Sequence, residues 1–322
     1  MDNKKIIGMD EKENMLQIKG IMATIVMLGH IAPFMANIWY IISGGIAVGV
    51  FFYYSSFGSE ISLNKRKTLR NYISKKVVNI YIPFLIADIL YFLSSILQNK
   101  LMISKIEYKD IILYLLGIKL SNPILWYIWH LLIFLVILYF IKKNLNKYET
   151  ILYVIVYIFY IILAVLFDIG IWWYTATSCI LIGLYYGKNS KKEEKNIIKF
   201  FIFITWITTV ILGEIYLIKN IKLLPLSDNY YAVGLQMLVI PLFLLTLRMI
   251  MKKIKLSSYI LKFLGNISFE IYLYHMLVWD WIKYYFYGNN IYLNVLITVV
   301  LTIIFSFIVK NIYKQILKNK FK

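Results

Sequence analysis

Apolar residues come in long unbroken runs along this chain, without period-two alternation, and short polar stretches punctuate them. The runs lie near 17–36, 38–58, 77–97, 123–141, 149–168, 170–187, 197–218, 230–250, 260–283 and 289–310. Each approaches the roughly 20 residues that a helix needs to cross a hydrocarbon core of about 30 Å. Backbone groups inside lipid must be satisfied within their own segment, so runs of this length are predicted to be helices. The pattern predicts an all-α polytopic integral membrane protein of about ten transmembrane helices. A single membrane domain fills 1–322, with no soluble module, linker or internal repeat.

Composition agrees with the pattern: 61% of the 322 residues are hydrophobic, and the mean hydropathy is +0.72. The net charge of +19 would suggest a nucleic-acid partner in a soluble protein, but its distribution points elsewhere. Lys and Arg gather in alternate polar stretches: the N-terminus 1–16, 59–76, 142–148, 188–196, 251–259 and the tail 311–322. The intervening loops are poorer in cations. This is the positive-inside pattern, and it predicts both termini on the cytoplasmic side of a cell membrane. No basic stripe with interleaved aromatics sits on a soluble module, so nucleic acid is not expected as a partner; membrane lipids are. The first apolar run lacks a small-residue cleavage site and is expected to be retained as a helix. The loop 98–122 contains an amphipathic stretch that suits the membrane interface.

Chemistry-bearing residues are few inside the apolar runs, and ionisable groups at that depth usually have a task. Lys19 and His30 stand eleven residues apart in MLQIKGIMATIVMLGHIAPF. At about 100° and 1.5 Å per residue they share one helix face, roughly 16 Å apart along the axis. A neutral imidazole suits a general base acting on a hydroxyl or amine. The structural alternative is a histidine that merely packs between helices. Gly20, beside Lys19, permits another backbone to approach. Lys19 suits either snorkelling to the inner surface or recognition of a phosphate-bearing anion.

Two further groups follow. Between Lys65 and Lys76 six cations crowd into twelve residues ahead of Pro83. They read as membrane anchoring or as a rim for phosphates, with Arg66, Arg70, Lys75 and Lys76 as candidate donor-binding residues. In GNISFEIYLYHMLVWDW, Glu270, Tyr272, Tyr274 and His275 share one helical stretch, with Glu270 near its start where the helix dipole favours a carboxylate. His275 suits either a reaction centre or a satisfied interior position, and His130 reads as structural. Three histidines in distant runs and one cysteine, Cys179, give no metal-ligand spacing and no disulfide framework. There is no phosphate-binding GxxxxGK[ST] and no GxSxG elbow.

Taken together and in order, these stretches resemble the acyltransferase-3 family of integral membrane O-acyltransferases. The family's opening cation-x10-His is matched by Lys19 and His30. Its FFxxSGF-type segment resembles FFYYSSFG, with Ser55, Ser56 and Phe57. Its basic run into a Pro-led helix resembles KKVVNIYIPF, although the second Arg of that motif is Asn79 here. A Trp-led span resembles LWYIWHLLIF from Trp126, and the family's last motif resembles GNISFEIYLYH.

The resemblance implies acetyl-CoA as acyl donor from the cytoplasmic side and a hydroxyl of a cell-surface or lipid-linked glycan as acceptor. It implies a catalytic His30, with His275 and Glu270 at the reaction centre. Lys19, Arg66, Arg70, Lys75 and Lys76 would hold the donor, Ser55, Trp126 and Tyr272 would line the substrate, and no metal is required. The rival expectation is a polysaccharide exporter or lipid-linked sugar flippase. In that reading Asp88, Asp168, Glu214 and Asp280 form a path and no acyl group moves.

Overall fold

Helix propensity and apolar length decide this architecture. In the computed structural model, residues 9–32, 38–63, 69–98, 100, 107–167, 169–189, 196–217, 228–286 and 290–320 are described. Among them no strand occurs. In chain order the helices are α1 (Met9–Ile31), α2 (Ile38–Leu63), α3 (Leu69–Lys76), α4 (Ile82–Leu97), α5 (Tyr108–Leu115), α6 (Trp126–Asn144) and α7 (Glu149–Leu166). They continue with α8 (Ser178–Lys188), α9 (Asn196–Leu217), α10 (Asp228–Met251), α11 (Tyr259–Asn266), α12 (Ser268–Tyr285) and α13 (Ile291–Lys320). Six stretches among the described residues are long and apolar enough to cross a membrane: Lys12–Ile31, Asn71–Leu97, Pro123–Asn144, Glu149–Leu166, Val233–Met251 and Ile291–Leu317.

Three apolar runs are not the uniform helices that their hydropathy suggests. The run 170–187 begins as a 3-10 turn, Ile171–Trp173, and becomes α-helical only at Ser178. Thr177 Oγ1 donates to the Trp173 carbonyl at 3.1 Å, a local bond that competes with helix continuation. The run 260–283 is two helices broken at Ile267. The run that starts at 77 is preceded by α3 and joined to it by a π-helical turn, Val77–Tyr81. Pro83, early in α4, has no N–H to donate, and the ladder widens just ahead of it. Tyr313 Oη donates to the Val78 carbonyl inside that turn.

The chain divides into two compact units, each drawn from separated stretches. The first comprises Met1–Met15, Ile38–Lys67 and Ile137–Ser257. With lipid outside, apolar burial gives little drive to helix association, so close backbone approach through small residues matters more. Here α2 and α8 meet through Gly183 and Gly187. A Cβ at Gly183 would lie 2.5 Å from the Tyr53 carbonyl oxygen, and one at Gly187 would lie 2.7 Å from Glu60 Cβ. On another face of α2, Gly45 and Gly49 leave room for Ile240 of α10, with Cys179 of α8 beside Gly49. Asn14 donates to the Met251 and Ile254 carbonyls and accepts from Leu256 N–H. Trp206 Nε1 donates to Thr246 Oγ1 at 2.8 Å, tying α9 to α10.

The second unit comprises Leu16–Asn37, Thr68–Val136 and Ser258–Lys322. In it α1 lies against α11. Gln17 Oε1 accepts from Ser258 N–H at 2.9 Å, and Ser258 in turn caps α11 through Leu261 N–H. One turn on, a Cβ at Gly20 would lie 2.7 Å from Gly265 N, and one at Gly265 would meet the Leu16 carbonyl carbon at 2.7 Å. These two glycines let α1 and α11 touch backbone to backbone. After α5 the chain turns through Gly117 at φ +63°, a conformation that favours glycine. Tyr81 Oη and Trp129 Nε1 donate to the carbonyls of Leu116 and Gly117 there.

Candidate active site

The glycine contact places the last turn of α1 against α12, and there two histidines from opposite ends of the sequence meet. His30 Nδ1 is 2.9 Å from His275 Nε2; the rings are nearly parallel, 11° apart, with centroids separated by 5.1 Å. His275 is fully buried, and His30 is half-buried. On its far side His275 Nδ1 lies 3.0 Å from the Ile271 carbonyl oxygen.

That carbonyl fixes the protons. A carbonyl oxygen only accepts, so His275 Nδ1 carries the hydrogen and, in the neutral ring, His275 Nε2 is an acceptor. The short contact to His30 then requires His30 Nδ1 to donate. His30 Nε2 is left as the nitrogen that bears the lone pair. The chain of bonds runs from His30 through His275 to a main-chain carbonyl. A neutral hydrogen bond contributes only about 1 kcal/mol net, too little to hold two helices in register, so the glycine contact and the Gln17 tie must set the geometry.

α12 is itself held at this turn. Tyr91, buried on α4, accepts from Leu277 N–H at 2.9 Å and donates to the Leu273 carbonyl at 3.1 Å, bridging one turn of the helix around His275. Tyr272 Oη donates to the Ile124 carbonyl, and its ring packs edge-on to Tyr127, with centroids 5.4 Å apart. Trp126 neighbours Tyr127 at 6.4 Å, and Tyr272 lies 6.2 Å from His275. Trp126, Tyr127 and Tyr272 thus form an aromatic file leading to the dyad. His130 stacks on Phe134 at 4.8 Å and meets Trp126 edge-on.

At the other end of this face is a charged group. Lys310 of α13 donates to the Asn266 carbonyl, at the C-terminus of α11, and to Glu270 Oε2 at 3.2 Å. Lys19 lies within electrostatic range of Lys310. Two ammonium groups therefore lie near one another, and the Lys310 ammonium is the one paired with the Glu270 carboxylate. Lys310 reads in the sequence as one more cytoplasmic anchor. Its role at the α11–α12 break had no local signal, because its partners lie about 40 residues upstream.

The remaining candidates are placed less centrally. Lys75 is exposed on α3, and Lys76 Nζ lies over the Tyr72 ring at 5.2 Å. Arg66 lies outside the described residues, as does the Arg70 side chain. Ser55 is half-buried on α2 and belongs to the first unit, where its carbonyl accepts from Ser59 Oγ at 2.7 Å. Of the acids behind the transport reading, Asp88 accepts from Ser121 N–H at 2.8 Å and Asp280 pairs with Lys100 at 3.5 Å. Asp168 and the Glu214 side chain lie outside the described residues. Among the described residues no three His, Cys, Asp or Glu side chains gather to hold a metal.

A family whose members are described as an acyltransferase domain, acyltransferase 3, matches residues 14–310. This chain belongs to the acyltransferase-3 family. The match takes in both histidines, both lysines of the charged group and nearly all of both units, so the protein is a membrane acyltransferase. Among curated proteins, and among solved structures, nothing matches.

Proposed function

We propose that this acyltransferase moves an acetyl group from acetyl-CoA to a hydroxyl of a cell-surface or lipid-linked glycan, as a multi-pass protein of the cell membrane. About ten crossings with both termini cytoplasmic would put Lys19 and Lys310 toward the donor. The observation that carries the reading is the His30–His275 pair ending on the Ile271 carbonyl, because it presents His30 Nε2 as a base.

The step balances simply. His30 Nε2 takes the proton of the acceptor hydroxyl as its oxygen attacks the thioester carbonyl carbon. The carbon–sulfur bond then breaks, and the departing thiolate receives the proton from His30. While His30 is charged, its Nδ1–H bond to His275 strengthens, and His275 leans on Ile271. This is the base-and-orienter arrangement of a catalytic triad, with a neutral ring in the place of a carboxylate. Direct attack with donor and acceptor both bound is the simplest course.

Lys19, about 16 Å from His30 along α1, holds the donor's phosphates together with Lys310, and Arg66, Arg70, Lys75 and Lys76 are assigned to donor binding from the basic run in the sequence. Glu270 keeps Lys310 in place rather than exchanging a proton. Trp126 and Tyr272 line the acceptor approach, and Ser55 is assigned to substrate contact from its motif. The test uses purified protein in lipid nanodiscs with acetyl-CoA and a glycan acceptor, reading thiol release and labelled product together. His30→Ala is expected to abolish both, at unchanged membrane abundance. Transfer retained in that variant would overturn the base assignment.

A further inference from the structure

Within the second unit, the glycine contact sets α1 against α11 and so decides where α12 begins. It leaves the rotation of α12 about its own axis to other partners, because the chain departs from the helical path at Ile267, with φ −103° and ψ 11°. Lys310 meets the first turn of α12 at Glu270. Farther along, a side chain of α4 bonds to the α12 backbone itself. Leu277 N–H and the Leu273 carbonyl are the two groups that one rung of an α-helix joins. The Tyr91 hydroxyl bonds to both, at 2.9 and 3.1 Å, and its side chain is buried.

A helix interior satisfies its own backbone, so a hydroxyl that bonds to both ends of one rung singles out that turn. The rung is centred on His275. At about 100° per residue, positions 273 and 277 each lie about 160° around the helix from position 275. Tyr91 therefore grips α12 from the face opposite the imidazole. Three residues earlier on α4, Asp88 accepts from Ser121 N–H, in the segment whose Ile124 carbonyl accepts from Tyr272. We propose that the Tyr91 hydroxyl holds α12 at the rotation in which His275 Nε2 receives the His30 Nδ1 proton, and so is a positioning residue for acyl transfer. Its catalytic consequence rests on the base role of His30.

The test is nitrogen-15 NMR of the histidine rings in the full chain in nanodiscs, beside the transfer assay. The chain has three histidines, and the spectrum of His30→Ala identifies the His30 pair. In the native protein His30 should show a protonated Nδ1 and a bare Nε2. Tyr91→Phe keeps the ring and removes only the hydroxyl; Leu277 N–H and the Leu273 carbonyl can then bond to each other, so neither is left unsatisfied. His30 should shift toward the Nε2-protonated form, as in His275→Ala, and kcat should fall about 5- to 10-fold with KM little changed. In the His275→Ala background the same substitution should lower kcat by less than about twofold. A native His30 spectrum in Tyr91→Phe overturns the proposal whatever the rate, and so does a loss of kcat that persists in full without His275. A shifted spectrum with native kcat supports the hold on α12 and overturns the base role of His30. Circular dichroism of Tyr91→Phe must match the native protein; should it not, Tyr91→Met, a more adaptable filler of the same space, is read by the same criteria. Failure of both to fold would make Tyr91 a structural residue and overturn the proposal.

Discussion

At the scale of single residues, the position of one proton organises the candidate site. The Ile271 carbonyl sets the tautomer of His275, and His275 sets that of His30. If His275 acts as the orienter, His275→Ala is expected to lower kcat by about 10- to 100-fold with KM little changed, less than loss of the base itself. His275→Gln should recover part of the loss, since its amide oxygen can accept from His30 Nδ1–H. The measurement is kcat and KM across pH. An unchanged profile in His275→Ala would separate the two rings. The individual residues were legible in the sequence, because an imidazole and an amine on one apolar helix face are conspicuous. Their pairing was not. His30 and His275 lie 245 positions apart, and no local pattern encodes which distant ring a histidine meets. The same distance hid Lys310, whose place beside Glu270 depends on α13 returning to the α11–α12 break.

At the scale of elements, contacts between helices rest on glycine, and substitutions there should divide sharply. At Gly265 a methyl group would collide with the Leu16 main chain, which cannot yield as a flexible side chain does. Gly265→Ala should cost about 1–3 kcal/mol in stability and reduce activity by shifting α1 from α12. At Gly58, on α2, the same methyl meets nothing within 4 Å; there the gain in helix propensity, up to about 1 kcal/mol, should prevail. Thermal unfolding of both variants in the same detergent checks the contrast. Gly20 was readable as a point of close approach, but its partner was not. Hydropathy also hid the breaks at Ile267 and before Ser178, since an apolar run scores alike whether helical throughout or interrupted.

At the scale of the whole molecule, the cation distribution predicts sidedness, and the single cysteine makes it measurable. Cys179 is fully buried and should resist a membrane-impermeant maleimide. A cysteine introduced at Lys119 should react in intact cells, and one at Lys253 only in inverted vesicles; the opposite result would reverse the orientation. At Lys119 the Asp110 carboxylate accepts a hydrogen bond from the ammonium and raises its pKa, so the native Lys119 stays charged through neutral pH. The all-helical class was legible because lipid imposes one backbone solution on every crossing; against the ten crossings expected, six stretches among the described residues are long and apolar enough to span. The division into two units was not. Each is assembled from stretches that alternate along the chain, and composition does not change at their borders.

The meeting of α1 with α12 also has a consequence for biogenesis. A ribosome must deliver the first helix to the bilayer and then almost all the others before the second imidazole exists. Nascent or truncated chains that stop short of Ser268 would carry a lone ring and no relay. On the proposed mechanism, a cell would meet this catalyst only once its insertion was nearly complete.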